Sequence, residues 1–199
     1  MNHHIRIGVN ELTVGNIKRY NKSLINIFVT HPDPRKSAMV LPDKHVVKMP
    51  LETTPMVSLL FSPWYYDWGN VLRKDGTPYD TKKGAFRNHP CTKWAADSMY
   101  NTAWLIQHGC ALVLEYWHRY GKIHACAKPL FEAKKTFHNM TGEVIVCHSM
   151  VESFTRAMPD ELKHNTSIDT FTAYKTYLAS KPWVASNYLR DPSRKPDWI

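Results

Sequence analysis

The stretch NHPCTKWAADSMYNTAWLIQHGCALVLEYWHRYG, Asn88 to Gly121, decides the fold. Pro90 suits a first helical position, where its missing N–H and fixed φ cost nothing. Behind it Ser98, Thr102, Leu105, Gly109, Leu112 and Tyr116 recur at intervals of three and four, and Ala95, Met99 and Ile106 widen that band. This spacing puts side chains on one face of a helix. It predicts one long helix from His89-Pro90 to about Tyr120, with Gly121 as the residue that stops it. A second stripe, Asp97, Asn101, Trp104, His108, Ala111, Glu115 and Arg119, keeps the same spacing. It either lines a cleft or forms a solvated face, and spacing alone does not separate the two.

Working outward, Ile25-Asn26-Ile27-Phe28-Val29 reads as a short β-prone run ended by His31-Pro32-Asp33-Pro34. Asp33 and Pro34 form a cap-and-first-turn signal for a helix holding Arg35, Lys36 and Ala38. Asp43 reads as the N-cap of a second helix running from Lys44 to about Leu60. Val46, Val47, Met49, Leu51, Met56, Leu59 and Leu60 supply its buried side, and Pro50 and Pro55 predict a break or kink. Residues 62–88 are a long loop that carries Trp64, Tyr65, Tyr66 and Trp68 and then Arg73, Lys74, Lys82, Lys83 and Arg87. Long loops in compact domains are usually functional or mobile. Downstream come a short helix around Lys128 to His138, a turn-to-helix segment Ser153 to Lys163, and a last helix capped by Asp169 with Phe171, Tyr174 and Leu178 on one side. A basic, aromatic tail, Trp183 to Trp198, follows. The expected fold is mainly α: a compact single-domain helical bundle with a long central helix and long loops over residues 25–199. A basic extension, residues 1–24, precedes it.

The bulk numbers bound the function. The chain has 199 residues, 43% of them hydrophobic and 12% aromatic, enough for a core of its own. No run of apolar residues is long enough to span a bilayer, and the start lacks the apolar stretch of a secretory signal. Cys91, Cys110, Cys126 and Cys147 include no CxxC pair, so reduced thiols in a cytoplasmic protein are expected, in the host cytoplasm if the source is viral. Lysine and arginine number 26 against 17 acids, a formal charge of +9. Such a surplus attracts polyanions and makes nucleic acid the first partner to consider. DNA or a nucleotide is the expected partner; a homodimer is left open, and neither a membrane nor a cofactor is expected.

Several chemistries lack their motifs. The sequence holds no GxxxxGK[ST], GxGxxG, GxSxG or HExxH. The eleven histidines are not spaced as metal ligands, so no metal site is expected. Two polar clusters stand out. In Asp43-Lys44-His45 with Lys48 and Glu52, the two lysines lie one helical turn apart and can reach one phosphate, and His45 titrates near neutrality. Lys48 and Glu52 can equally pair across a turn. Asn88-His89 stands at a helix start, where backbone N–H groups favour an anion; Asn88 can equally be only a cap. In the loop, interleaved aromatic and basic residues suit stacking on bases and gripping phosphates, or else an aromatic cluster packed beneath the chain.

Ile25-Asn26-Ile27-Phe28-Val29, Asp33-Pro34-Arg35, Asp43-Lys44-His45-Val46-Val47-Lys48-Met49 and Leu51-Glu52-Thr53 together resemble a widespread phage and giant-virus family. Asn88-His89-Pro90-Cys91, Trp94-Ala95, Glu115-Tyr116, Arg119-Tyr120-Gly121-Lys122, His124 and Ala157-Met158-Pro159-Asp160-Glu161 carry the same resemblance. More remotely, the layout is similar to the pyrimidine-dimer DNA glycosylases of the phage endonuclease V type, which are compact and all-helical. Ile25-Asn26-Ile27, Lys44-His45 and Glu115 to Gly121 fall at comparable places. Those enzymes attack the sugar C1′ with their N-terminal amine, and here some 24 residues precede the matching run. Their essential glutamate falls at His45 or is replaced by Glu52.

The resemblance implies a DNA glycosylase-like or base-modifying enzyme working on a flipped pyrimidine. The implied catalytic set is Lys44, His45, Lys48, Glu52, His89 and Glu115. The implied nucleic-acid contacts are Arg35, Trp68, Lys82, Lys83, Arg87, Asn88, Arg119, Lys122 and His124. A non-enzymatic DNA-binding protein for host takeover or counter-defence, and a nucleotide-pool or hypermodification enzyme, remain open alternatives.

Overall fold

Ser98 does what a serine at a helix start does, and in doing so divides the long helix in two. Its backbone is fully extended (φ −153°, ψ 156°), and its hydroxyl oxygen accepts the N–H of Asn101. The computed structural model, which describes residues 25–142 and 151–199, therefore shows α3 over Pro90–Asp97 and α4 over Met99–Tyr120 rather than the single helix expected. The break costs little because Ser is a preferred cap. Across the corner Thr102 donates its hydroxyl to Ala95 O and Asn101 its amide to Trp94 O. Gly121 closes α4 in the left-handed region, φ 62°.

The fold is mainly α. The remaining helices are α1 (Pro34–Met39), α2 (Asp43–Phe61), α5 (Ala127–Thr141), α6 (Asp160–Lys163) and α7 (Thr170–Ala179). Asp33 caps α1 and Asp169 caps α7, as their side chains predict. Helix α4 is the hub, touching α1, α2, α3 and α5. At Gly109 a Cβ would stand 2.9 Å from both Leu130 Cδ2 and Thr53 Cγ2, so α4 passes α2 and α5 closely because it lacks a side chain there. No strand is present among the described residues, and no helix among them is long and apolar enough to cross a membrane.

Three further expectations need correction. Ile25–Val29 is buried but forms no strand: the N–H of Asn26 goes to Glu52, and those of Ile27 and Phe28 go to the Asn26 side chain rather than to a neighbouring strand. Its Phe28 turns sharply, with φ 42°. Helix α2 runs on through Pro50 and Pro55 to Phe61. Asp43 is its first residue rather than its cap: Pro42 holds the cap position and offers no side-chain bond. The cap comes from far along the chain, since Asn187 accepts the N–H of Asp43 on its backbone oxygen and that of Lys44 on its side chain. Two orphan donors of the helix start are thus satisfied by the tail, which straps the beginning of α2.

The long loop 62–88 holds itself together with its aromatic residues. Trp64 donates its indole N–H to Thr81 O and Tyr65 its hydroxyl to Arg87 O, while the Arg87 guanidinium lies 4.2 Å from the Trp64 ring centroid. Trp68 stacks on Tyr66 at 4.5 Å and packs edge-on against Phe61 and Phe137. Cys91, Cys110 and Cys126 are buried free thiols; Cys147 lies outside the described residues, as does the extension 1–24.

Candidate active site

Because the tail straps the start of α2, it also brings a wall of side chains to the helix face carrying His45, Lys48 and Glu52. His45 is stacked on Phe28 at 4.3 Å and meets Trp183 edge-on at 5.4 Å. Phe28 in turn stacks on Tyr177 of α7 at 5.8 Å. The ammonium of Lys44 stands 4.7 Å from the Trp183 centroid, and that of Lys181 stands 4.2 Å from the Tyr177 centroid and 5.7 Å from that of Phe28. Cation–π attraction at such distances holds lysines against rings without neutralising them. The result is an aromatic wall fringed by Lys44, Lys48 and Lys181.

One carboxylate pairs with a lysine of this fringe, Lys48. Glu52 is buried, and its two oxygens have different partners. Oε2 accepts the backbone N–H of Asn26 at 2.9 Å, and Oε1 pairs with Lys48 Nζ at 3.1 Å. Asn26 is fixed by its own side chain, which accepts the N–H groups of Ile27 and Phe28 and donates to Ala157 O. The nitrogen presented to Glu52 is a peptide amide, whose lone pair is delocalised and is no nucleophile.

Burial and the positive charges of Lys181 and Lys48 push the His45 imidazole down to about 3, so it is neutral at ordinary pH. Its Nδ1 is enclosed without a partner. The ring is therefore a flat, uncharged wall at neutral pH. Lys181 is itself held below the ordinary lysine range, first by burial and then by the charge of Lys48. Among the described residues it forms no ion pair.

The other residues singled out in the sequence lie in different surroundings. Glu115 and Arg119 belong to a closed buried network. Arg119 donates to Glu115 Oε1 (3.0 Å), Asp43 Oδ1 (3.1 Å), Leu41 O (2.8 Å) and Met39 O (2.9 Å). Arg194 donates to Glu115 at 2.7 Å, and Asp43 Oδ2 accepts the N–H groups of Leu189 and Arg190. The Arg119 side chain has 0% exposure, so this geometry gives it no face toward nucleic acid. It ties α1, α2, α4 and the tail together. The polar stripe is split between surroundings: Asp97 is exposed, Asn101, Trp104 and His108 are buried, and Ala111 and Glu115 line a cavity with Arg35 and Arg194. His108 is wholly buried and stacked on Trp104, and the Trp104 indole N–H is donated to Pro32 O.

His124 is likewise committed to the backbone: Nδ1 accepts the Cys126 N–H, and Nε2 stands 3.1 Å from Val47 O, so Nε2 carries the proton. His89 rather than Asn88 caps α3, its Nδ1 accepting the N–H of Cys91, whose thiol points back to Ile25 O. Arg35, Lys82, Lys83, Asn88 and Lys122 are exposed. Trp68 is packed in the aromatic cluster described above. The structure thus brings His45, Lys44, Lys48 and Glu52 together. It adds Phe28, Tyr177, Lys181 and Trp183, which the sequence reading missed; only the basic, aromatic character of the tail hinted at Trp183. No group of three His, Cys, Asp or Glu among the described residues could hold a metal ion.

The family model for pyrimidine dimer DNA glycosylases matches residues 25–128, just over half of the chain, and the chain belongs to that family. The match spans α1 to α4 and includes Asn26, His45 and Glu52; Tyr177, Lys181 and Trp183 come from beyond it. A search of curated proteins found no match, and a search of solved structures found none.

Proposed function

We propose that the protein is a DNA glycosylase that releases a base from a flipped pyrimidine nucleotide, with Glu52 as its essential carboxylate. The observation that carries this is the pairing of Glu52 with the Asn26 amide, inside the segment matched by the family. Breaking a glycosidic bond builds positive charge on the sugar, and a fixed anion beside C1′ lowers the energy of that state more than it lowers the ground state. Glu52 is suited to this because both its oxygens are held by partners and little water reaches it.

Each neighbour has a part in the proposal. Tyr177 and Trp183, the partly exposed rings of the wall, offer surface on which an extruded base stacks, which offsets the few kcal/mol of unstacking, and the buried Phe28 and His45 back them. The neutral His45 does not repel the lysines around it. The exposed Lys44 and Lys48 take the flanking phosphates, and Lys82, Lys83, Arg87 and Lys122 extend the basic surface. His89, which caps α3 two residues before Cys91, is kept as a proton carrier.

The test is glycosidic cleavage in a duplex carrying a single UV-induced pyrimidine dimer, read as base released after photoreversal because the dimer's own bonds otherwise tie the cleaved base to its neighbour, and run beside undamaged duplex. Photoproduct-dependent release by the parent and its loss in Glu52→Gln is the expected result. Equal binding of damaged and undamaged duplex with no release would remove the enzymatic reading.

A further inference from the structure

We infer that Phe86 is a wedge that enters the duplex stack and fills the gap left when the target nucleotide is extruded. This rests on the glycosylase reading and deepens it by naming the element that opens the duplex. In the loop between α2 and α3, Phe86 stands in the left-handed backbone region at φ 69° and is 50% exposed. A bulky side chain rarely adopts that backbone, which glycine takes without steric cost. An exposed phenyl ring also forgoes the gain of burying it. Neither feature helps the chain fold, and strained positions of this kind cluster at ligand clamps and active sites.

The turn that carries the ring is held from several sides. The N–H of Gly84 is donated to Thr81 O, that of Arg87 to Gly84 O and that of His89 to Phe86 O. Gly84 is packed so closely that a Cβ would stand 2.9 Å from Trp64 Cε2 and 3.0 Å from Arg87 Cδ. The Arg87 guanidinium lies over Trp64, and Arg87 O accepts the Tyr65 hydroxyl. The backbone around Phe86 is thus fixed before any DNA arrives, so inserting the ring orders little that is not ordered already. No acid occurs between residues 81 and 89, and Lys82, Lys83 and Arg87 supply cations for the phosphates beside an opened base step.

The same turn runs into the neighbourhood of Glu52. Phe86 lies five residues before Cys91, a span of at most roughly 19 Å between Cα atoms. The Cys91 thiol points to Ile25 O, and the next residue, Asn26, donates its N–H to Glu52. Burial, and after it the charge of Glu52, push the Cys91 thiol up, so it stays protonated within the field of that carboxylate. Bases along one strand are about 3.4 Å apart. The span from Phe86 to the start of α3 is therefore about five base steps or fewer, and one bound lesion can meet both the ring and the carboxylate. Insertion breaks no covalent bond: the ring takes the place of the extruded base between its neighbours and offsets the lost stacking.

The test uses the full chain with Phe86→Ala, Phe86→Gly and Phe86→Leu. Phe86→Gly melts no lower than the parent, because glycine accepts the left-handed backbone. Single-turnover base release, read after photoreversal, is followed on a dimer in a fully paired duplex and on a dimer opposite mismatched bases, where less pairing has to be opened. Phe86→Ala and Phe86→Gly slow release from the paired duplex by about 10-fold or more, and the loss shrinks on the mismatched one. Phe86→Leu, still an apolar wedge, keeps most of the parent's rate. A second arm needs no catalysis: 2-aminopurine beside the dimer brightens when its stack opens. It brightens on binding to Glu52→Gln and stays dark when Phe86→Ala is added to that variant at saturating protein. A loss of the same size on both duplexes, brightening that survives without Phe86, or no brightening at all overturns the wedge. Base release from the paired duplex that is undiminished in Phe86→Ala also sinks it and leaves the glycosylase reading standing. Brightening that requires Phe86, with no base release from either duplex by the parent, does the reverse.

Discussion

Replacing Arg119 by Met separates a structural from a DNA-binding role for this residue. In the parent, Arg119 donates to two carboxylates and two carbonyl oxygens at 2.8–3.1 Å with its side chain closed off from solvent. Methionine fills much of the volume but leaves Met39 O, Leu41 O and one side each of Asp43 and Glu115 without donors. Breaking a buried pair by removing one partner costs about 3–5 kcal/mol. Arg194 still pairs with Glu115, and the Leu189 and Arg190 N–H groups still hold Asp43, so the low end of that range applies. For a chain of this size about 3 kcal/mol lowers Tm by roughly 6–12 °C. Differential scanning calorimetry reads this directly. Below its own melting range the variant keeps the parent's affinity for duplex DNA. A Tm within about 2 °C of the parent, together with a loss of DNA affinity, refutes the reasoning and places the guanidinium on the nucleic acid.

Other outcomes follow from the same geometry. Glu52→Gln keeps an oxygen for the Asn26 N–H but loses the charge, so the fold survives while the single-turnover rate of base release falls by about 10² or more. Stability falls as pH drops from about 6.5 toward 3, because His45 and His108 are both held down to about 3 by burial and take up protons in the unfolded chain first. His108→Phe removes two buried nitrogens that have no partner and should flatten the acid limb of a Tm-against-pH curve, without lowering Tm at pH 7. Lys82→Ala with Lys83→Ala leaves Tm unchanged, since both are exposed. For each lysine that meets a phosphate, it reduces the slope of log affinity against log salt by about 1, as read by fluorescence anisotropy.

Local signals in the sequence were reliable where the chain solves its own problem locally. Asp33 and Asp169 cap the helices they precede, and Gly121 ends α4, because each acts on a backbone group within a few residues. The periodicity of 90–120 was right about helix, yet it ran across Ser98, since two coaxially ordered stripes look alike whether or not the chain turns between them. Asp43 shows the complementary failure. Its type promised a cap, but Asn187, more than a hundred residues away, already held that helix start. The same long-range strap placed Lys181 and Trp183 beside His45, and no spacing rule connects residue 45 to residue 183. For Glu115 and Arg119, four residues apart on one helix, the charges were visible in the sequence and the burial was not. Lys44, His45, Lys48 and Glu52 were legible because one helix presents them all.

The most direct measurement is base release after photoreversal, by mass spectrometry, from a duplex holding one pyrimidine dimer, with parent and Glu52→Gln compared at equal folded fractions. The account predicts release by the parent, absence of release from undamaged duplex, and loss of release in the variant with dimer binding retained. Release that is undiminished in Glu52→Gln, or no release by a folded parent that binds the dimer, contradicts it.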